Sequence, residues 1–248
     1  MTSVPASFRA SGNLLEDRVI LVTGATGGFG RAASLALAEQ GATVILLARN
    51  LRLVEGLYDD IEEAGYPIPA IYPIDFEGAT EADYQQLAEN VESQLGRLDG
   101  MVHCAAMLGG PTPFVQSDTD TWYRVHQVNL HAPYLLTKAC LPLLSKADHG
   151  SILFMVDDKQ SAYWDAYQVS KQGLRAMAQL LAREYAGSSL RVNCFNPGKT
   201  MSPLQLRAYP GAGDNDSLPR PEDHAATFVY LMSEESTENG EVFTPAAT

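Results

Sequence analysis

The chain has 248 residues, 46% of them hydrophobic, and a formal net charge of −13. Its length suits one α/β domain with a sizeable core, and the acidic balance argues against nucleic acid or an anionic membrane surface as partner. No apolar run approaches the roughly 20 residues that span a bilayer, and the opening MTSVPASFRASGN lacks the apolar stretch of a secretory signal.

Residues 1–14 read as a flexible tail or a strap, ahead of one domain over 15–248. Val19-Ile20-Leu21-Val22 is the apolar run of a fully buried strand. Thr23-Gly24-Ala25-Thr26-Gly27-Gly28-Phe29-Gly30 follows, then Ala32, Leu35 and Ala36 at helical spacing before Gly41-Ala42. Strand, glycine turn and helix in that order make a phosphate cradle, because glycines let a pyrophosphate approach the backbone and the helix N-terminus presents unpaired N–H groups. Glycines alone also suit an ordinary strand-to-helix turn. With a second buried strand at Thr43–Ala48, the context is that of a dinucleotide site.

The alternation continues along the chain. Arg49–Ala64 reads as a helix, Ala70–Ile74 as a third strand leading into Asp75, and Thr80–Leu95 as a helix opened by the capping pattern Thr80-Glu81-Ala82-Asp83. Met101–Cys104 is a fourth strand, and Thr119–Leu144 a long helix interrupted at Pro133. The fifth strand, Ser151–Val156, ends at Asp157-Asp158; a helix then runs from about Trp164 to Tyr185, and Leu190–Phe195 is the sixth strand. Pro197–Pro221 has the composition of a mobile loop over a site. A helix at Pro221–Met232 and an edge strand at Glu241–Phe243 finish the chain. This order predicts an α/β fold, a doubly wound parallel sheet with helices on both faces. Ligands of such sheets lie beyond the carboxyl ends of the strands. Those ends are Thr23, Ala48-Arg49, Asp75, Ala105, Asp157 and Asn196-Pro197.

Three cysteines, Cys104, Cys140 and Cys194, show no metal-ligand spacing, and their odd number in apolar segments points to reduced thiols and a cytoplasmic protein. The five histidines form no HxxH or HExxH pattern, so no metal is expected. Tyr167 and Lys171 in YQVSK stand four apart, on one face of a helix. An ammonium beside a phenol lowers the phenol's pKa and makes it a usable acid/base near neutrality.

Together these motifs resemble the short-chain dehydrogenase/reductase family over about Asp17–Phe243. TGATGGFG matches TGxxxGxG, YQVSK matches YxxxK, Asn129 in QVNLHAPY matches the family's Asn, and NPGKTMS matches the segment after the sixth strand. The HGSILF, LDGMVH and LPLL segments look most like the YciK-like bacterial branch. The resemblance implies a Rossmann-type fold, a nicotinamide cofactor, hydride transfer to or from a carbonyl carbon of a small-molecule substrate, and a homodimer or homotetramer. By position, Tyr167 is the proton donor, Lys171 lowers its pKa and bonds the nicotinamide ribose, and Asn129 holds a water in the relay. The cradle residues Gly24, Thr26, Gly28, Phe29 and Gly30 would face the cofactor with Ala105, Asp75 would contact adenine, Pro197-Gly198 the carboxamide, and Thr200 and Ser202 the phosphates. Members that use NAD carry an acid at the end of strand two; here Ala48 is followed by Arg49, which suits a 2′-phosphate and favours NADP over NAD. A solvated Arg49 at a helix start is the plainer alternative.

The pattern breaks at two points. The family's Asn-Asn-Ala-Gly at strand four reads His103-Cys104-Ala105-Ala106. The family's serine after strand five is missing: counting back from Tyr167 lands on Phe154, whereas aligning the strand puts Asp157 in its place. An ionised Asp157 only accepts hydrogen bonds. Beside a phenolate it would oppose ionisation, since two unit charges about 4 Å apart interact by about 4 kcal/mol at an effective dielectric of about 20. A protonated Asp157 could donate instead; Ser161 is a further candidate if the loop folds back, and Asp157 could also turn into solvent. Two functions follow. One is an NADP(H)-dependent oxidoreductase with an atypical catalytic residue. The other is a nucleotide-binding protein of this fold with little or no dehydrogenase activity, serving as a sensor or partner. The loop Met201–Pro219 would line the substrate pocket, with Asp214 and Asp216 disfavouring an anionic substrate.

Overall fold

The computed structural model describes residues 2–159, 161–212 and 217–245; Asp214 and Asp216 lie outside them. Seven strands form one parallel sheet: β1 (Val19–Thr23), β2 (Thr43–Ala48), β3 (Ala70–Pro73), β4 (Gly100–His103), β5 (Ser151–Met155), β6 (Arg191–Phe195) and β7 (Val242–Phe243), in the order β3-β2-β1-β4-β5-β6-β7. Parallel neighbours need crossovers, and here these are mainly helical: α1 (Gly28–Glu39), α2 (Leu51–Glu63), α3 (Glu81–Leu95), α4 (Thr119–His126), α5 (Ala132–Leu144), α6 (Asp165–Glu184), α7 (Pro203–Ala208) and α8 (Ala225–Met232). Successive side chains of a strand point to opposite faces. Val19 and Leu21 of β1 therefore join the layer containing Tyr84, Leu136 and Leu174, while Ile20 and Val22 join the one containing Leu37, Leu57 and Phe228. Both faces are dry, which is why β1 reads as an unbroken apolar run.

β1 pairs with β2 on one side and β4 on the other, Val22 standing opposite Leu46 and Val102. The strand order reverses there, and the ends of β1 and β4 diverge into a crevice. Asp83 accepts from the Thr80 N–H at 2.7 Å, making the expected capping box at the start of α3. The single long helix expected over Thr119–Leu144 is broken into α4, a π-helical turn at Gln127–His131, and α5. The break precedes Pro133, which sits in the first turn of α5, where its missing N–H leaves no bond unmade.

The N-terminal residues take a defined path, and the loop reading after the sixth strand needs correction. Residues 2–14 pack as a strap: Thr2 donates to Val242 O at 3.1 Å, Thr244 donates back to Thr2 O at 2.8 Å, and the Phe8 ring lies 5.0 Å from that of Tyr230. The segment after β6 is not simply a loop, because it contains α7, with Ser202 capping it by accepting from Gln205 N–H at 3.2 Å, and short 3₁₀ turns at Pro210–Ala212 and Pro221–His224. Among the described residues no helix is long and apolar enough to cross a membrane.

Candidate active site

A cleft of about 740 Å³ opens along the carboxyl ends of the strands. Its floor is the glycine turn between β1 and α1. A Cβ on Gly30 would lie 2.1 Å from Gly24 O, and one on Gly24, at φ +62°, would lie 2.8 Å from Ala105 Cα. The turn therefore closes only without side chains, and it lays bare backbone along the cleft. Thr23 Oγ1 accepts from Ala105 N–H at 3.1 Å and holds the end of β4 against it. A pyrophosphate suits this site, since α1 begins at Gly28 with its first N–H groups free of intrahelical partners.

Gly24, Thr26, Gly28, Phe29 and Gly30 all line the cleft, and Ala105 faces them across it. Arg49 and Asp75 line the outer end, and Pro197, Gly198, Thr200 and Ser202 the opposite wall. The hydroxyls of the last two already have protein partners. Thr200 Oγ1 donates to Pro197 O at 3.3 Å and lies 3.0 Å from His224 Nε2, while Ser202 caps α7. The outer end also contains Glu77 and Arg124, which sequence reasoning missed. Arg124 sits in the chain as an unremarked helix residue, and only the fold brings it to the turn after β3.

Tyr167, Lys171 and Asp157 meet at the inner end. Tyr167 Oη lies 3.5 Å from Asp157 Oδ2, at the outer edge of hydrogen-bond length. Lys171 Nζ donates to Met155 O at 2.9 Å and stands 5.8 Å from the centre of the Tyr167 ring. Asp157 does not turn into solvent: Oδ1 accepts from Lys159 N–H at 3.1 Å, and its carbonyl accepts from Gln168 Nε2 at 3.2 Å. Asp158 secures the same loop, paired with Arg175 at 2.9 Å and accepting from Asn196 Nδ2 at 3.2 Å. Ser161 is exposed and is not part of the cleft wall, whereas Asp157 lines the cleft beside Tyr167.

The dry surroundings move each ionisable group toward its neutral form. Burial pushes the Asp157 carboxyl above the usual carboxylate range, the charges of Lys159 and Lys171 opposing it. Burial lowers the Lys171 ammonium to about 8. The Tyr167 phenol is pushed upward, first by burial and then by the charge of Asp157 and its hydrogen bond. The lowering expected from Lys171 is outweighed by burial and by Asp157, the ionisable neighbour that hydrogen-bonds the hydroxyl.

Asn129 stands behind the cleft wall, in the π-helical turn. Its Oδ1 accepts from Met107 N–H at 2.7 Å, and Nδ2 donates to Met107 O at 2.9 Å and to Ser170 Oγ at 3.0 Å. Both side-chain donors are taken, so the side chain staples the loop after β4 to α6. His103 is absorbed into the core. Its Nε2 lies 3.0 Å from Thr137 Oγ1, its ring stacks on Phe154 at 4.7 Å, and burial lowers it to about 3. Burial likewise pushes the Cys104 thiol up to about 12, which disfavours the nucleophilic thiolate. Among the described residues no group of His, Cys, Asp or Glu is placed to hold a metal ion.

Known proteins share this fold. The chain is 39% identical to the uncharacterized oxidoreductase YciK of Escherichia coli K12 over 232 residues, 92% of this chain and 91% of the relative. A short chain dehydrogenase from Pseudomonas syringae superposes with a TM-score of 0.91 at 39% identity, covering 96% of this chain and 98% of its own. One from Escherichia coli CFT073, complexed with NADPH, superposes at 0.90 with 40% identity, covering 94% and 98%. Residues 18–211 match the model of the short chain dehydrogenase family. By sequence and fold alike, the chain belongs to the short chain dehydrogenase family.

Proposed function

We propose that this chain is an NADP(H)-dependent oxidoreductase acting on the carbonyl or alcohol group of a small molecule, with a neutral Asp157 carboxyl in place of the family's serine hydroxyl. The observation that carries it is the 3.5 Å approach of Asp157 Oδ2 to Tyr167 Oη in a cleft where burial raises the carboxyl's pKa. Two oxygens so spaced can both reach one substrate oxygen at hydrogen-bond length.

The glycine turn fits a dinucleotide pyrophosphate, and Arg49 at the outer end fits a 2′-phosphate. The relative complexed with NADPH supports the same choice. When bound, the nicotinamide supplies or accepts the hydride. Tyr167 gives its proton to the substrate oxygen as charge develops there, and a protonated Asp157 donates a second hydrogen bond to it. Lys171, anchored on Met155 O, holds positive charge behind the tyrosine. Ionised, Asp157 would instead oppose that developing charge. Leu108, Trp164 and Tyr167 form an apolar cluster with Leu204 and Ala208 packed against it, and of these Tyr167 and Leu204 line the cleft, which supports a substrate with an apolar part.

The exposed Tyr123 of α4 and Val169 and Leu180 of α6 support self-association as a homodimer or homotetramer. The free Cys104, Cys140 and Cys194 support a reducing, cytoplasmic setting. Light scattering on the purified chain tests the first proposal.

NADPH oxidation against aldehydes, ketones and quinones, in wild type and Asp157→Ser, tests the chemistry. Turnover by wild type supports the enzyme. A silent wild type beside an active Asp157→Ser would show a scaffold switched off at this residue. Silence in both, with NADPH bound, would favour the nucleotide-binding reading.

A further inference from the structure

The outer end of the cleft carries charges that the proposed chemistry does not use. Glu77 follows β3 in a turn set by its own N–H donating to Asp75 Oδ1 at 3.2 Å. Gln127 Nε2, from the π-helical turn, donates to Phe76 O at 3.3 Å and holds that turn from the other side. Two guanidiniums close on the Glu77 carboxylate. Arg49 Nη1 reaches Oε1 at 3.1 Å, and Arg124 Nε reaches Oε2 at 2.6 Å. Arg49 also stands 4.0 Å from Asp75 Oδ1. The hydrogen bond from Arg124, followed by the charges of both arginines, holds the Glu77 carboxyl below its ordinary range, although burial opposes them. Glu77 is therefore an anion at neutral pH.

All four residues line the cleft. Two cations and two anions cancel, so an incoming phosphate meets a balanced quartet and not a free arginine. Arg49 is 69% exposed and Glu77 24%. Their pairing is thus a weak one that a dianion can rearrange, because exposed ion pairs are screened by water and salt. Arg124 has the opposite effect, since each share of Glu77 that it neutralises is withdrawn from Arg49.

We propose that Glu77 is a specificity-determining residue of this cleft: an internal carboxylate that competes with the adenosine 2′-phosphate for Arg49 and holds down the preference for phosphorylated over unphosphorylated nucleotides. The proposal rests on the dinucleotide reading of the cleft. It differs from a positioning role, in which Glu77 would present Arg49 to the phosphate and its loss would weaken binding.

The test titrates the full chain with 2′,5′-ADP and with 5′-AMP, which differ only by the 2′-phosphate, using calorimetry on wild type, Glu77→Gln and Arg124→Gln. In Glu77→Gln the ratio of the 5′-AMP to the 2′,5′-ADP dissociation constant rises about two- to fivefold, the size an exposed charge pair supplies. In Arg124→Gln it falls. An unchanged or lower ratio in Glu77→Gln, with wild type binding both probes, overturns the proposal and leaves the dinucleotide reading standing. A folded wild type that binds neither probe overturns both. Arg124 is 54% exposed on its helix, so its variant keeps the test decisive should Glu77→Gln fail to fold: a ratio that does not fall there overturns the proposal.

Discussion

The two ends of the cleft use the same pieces, a carboxylate near a cation, to opposite ends. At the inner end Asp157, Tyr167 and Lys171 are held away from water, and each is driven toward neutrality: the acid up, the phenol up, the lysine down to about 8. At the outer end Glu77 is pushed down and Arg124 up, so charge is retained. Residue type does not separate these outcomes. Burial does, because desolvation penalises an ion more than a distant partner stabilises it, while at an exposed site a direct ion pair meets little such penalty. Burial favours the protonated form of a carboxyl at the inner end, and the ion pairs favour the anion at the outer end.

The sharpest way to break this contrast is Tyr167→Phe. It removes the group assigned to protonate the substrate oxygen, and kcat for carbonyl reduction falls about 10²- to 10⁴-fold, with NADPH binding unchanged by titration. Unaltered turnover would show that the inner end does no acid chemistry.

Asp157→Asn tests the protonation argument. On the proposed chemistry, a neutral Asp157 donates at low pH. The rate of reduction therefore falls as pH rises through its raised pKa, above the ordinary carboxylate range. The amide of the variant stays neutral and donates at every pH, so this decline disappears from its profile. Parallel profiles in the two proteins would show that Asp157 is ionised throughout or away from the substrate.

At the outer end the effects are smaller. Arg49→Gln weakens NADPH binding by about 1 kcal/mol, as expected for one charge-assisted contact in water, and leaves NADH binding unchanged in the same titration. A loss as large for NADH would mean that Arg49 supports the fold of this end and does not read the phosphate. With NADH binding unchanged in Arg49→Gln, the ratio change in Glu77→Gln divides the discrimination between Arg49 and its internal competitor.

Sequence alone determined the features that depend on near neighbours in the chain. The strand–glycine–helix order marked the cradle, because a close turn and a free helix N-terminus need only local backbone. The four-residue spacing of Tyr167 and Lys171 put them on one helix face, and aligning the fifth strand put Asp157 beside them. Tertiary structure decided whatever depends on partners distant along the chain. Arg124 finds Glu77 47 residues away, Asn129 is taken up by Met107 and Ser170, and His103 leaves the site to stack on Phe154. The direction of the Tyr167 shift belongs with these. A lysine one turn away predicts a more acidic phenol, but burial and a carboxylate ten residues back outweigh it, since local spacing carries no information about how much water a folded chain leaves around a charge.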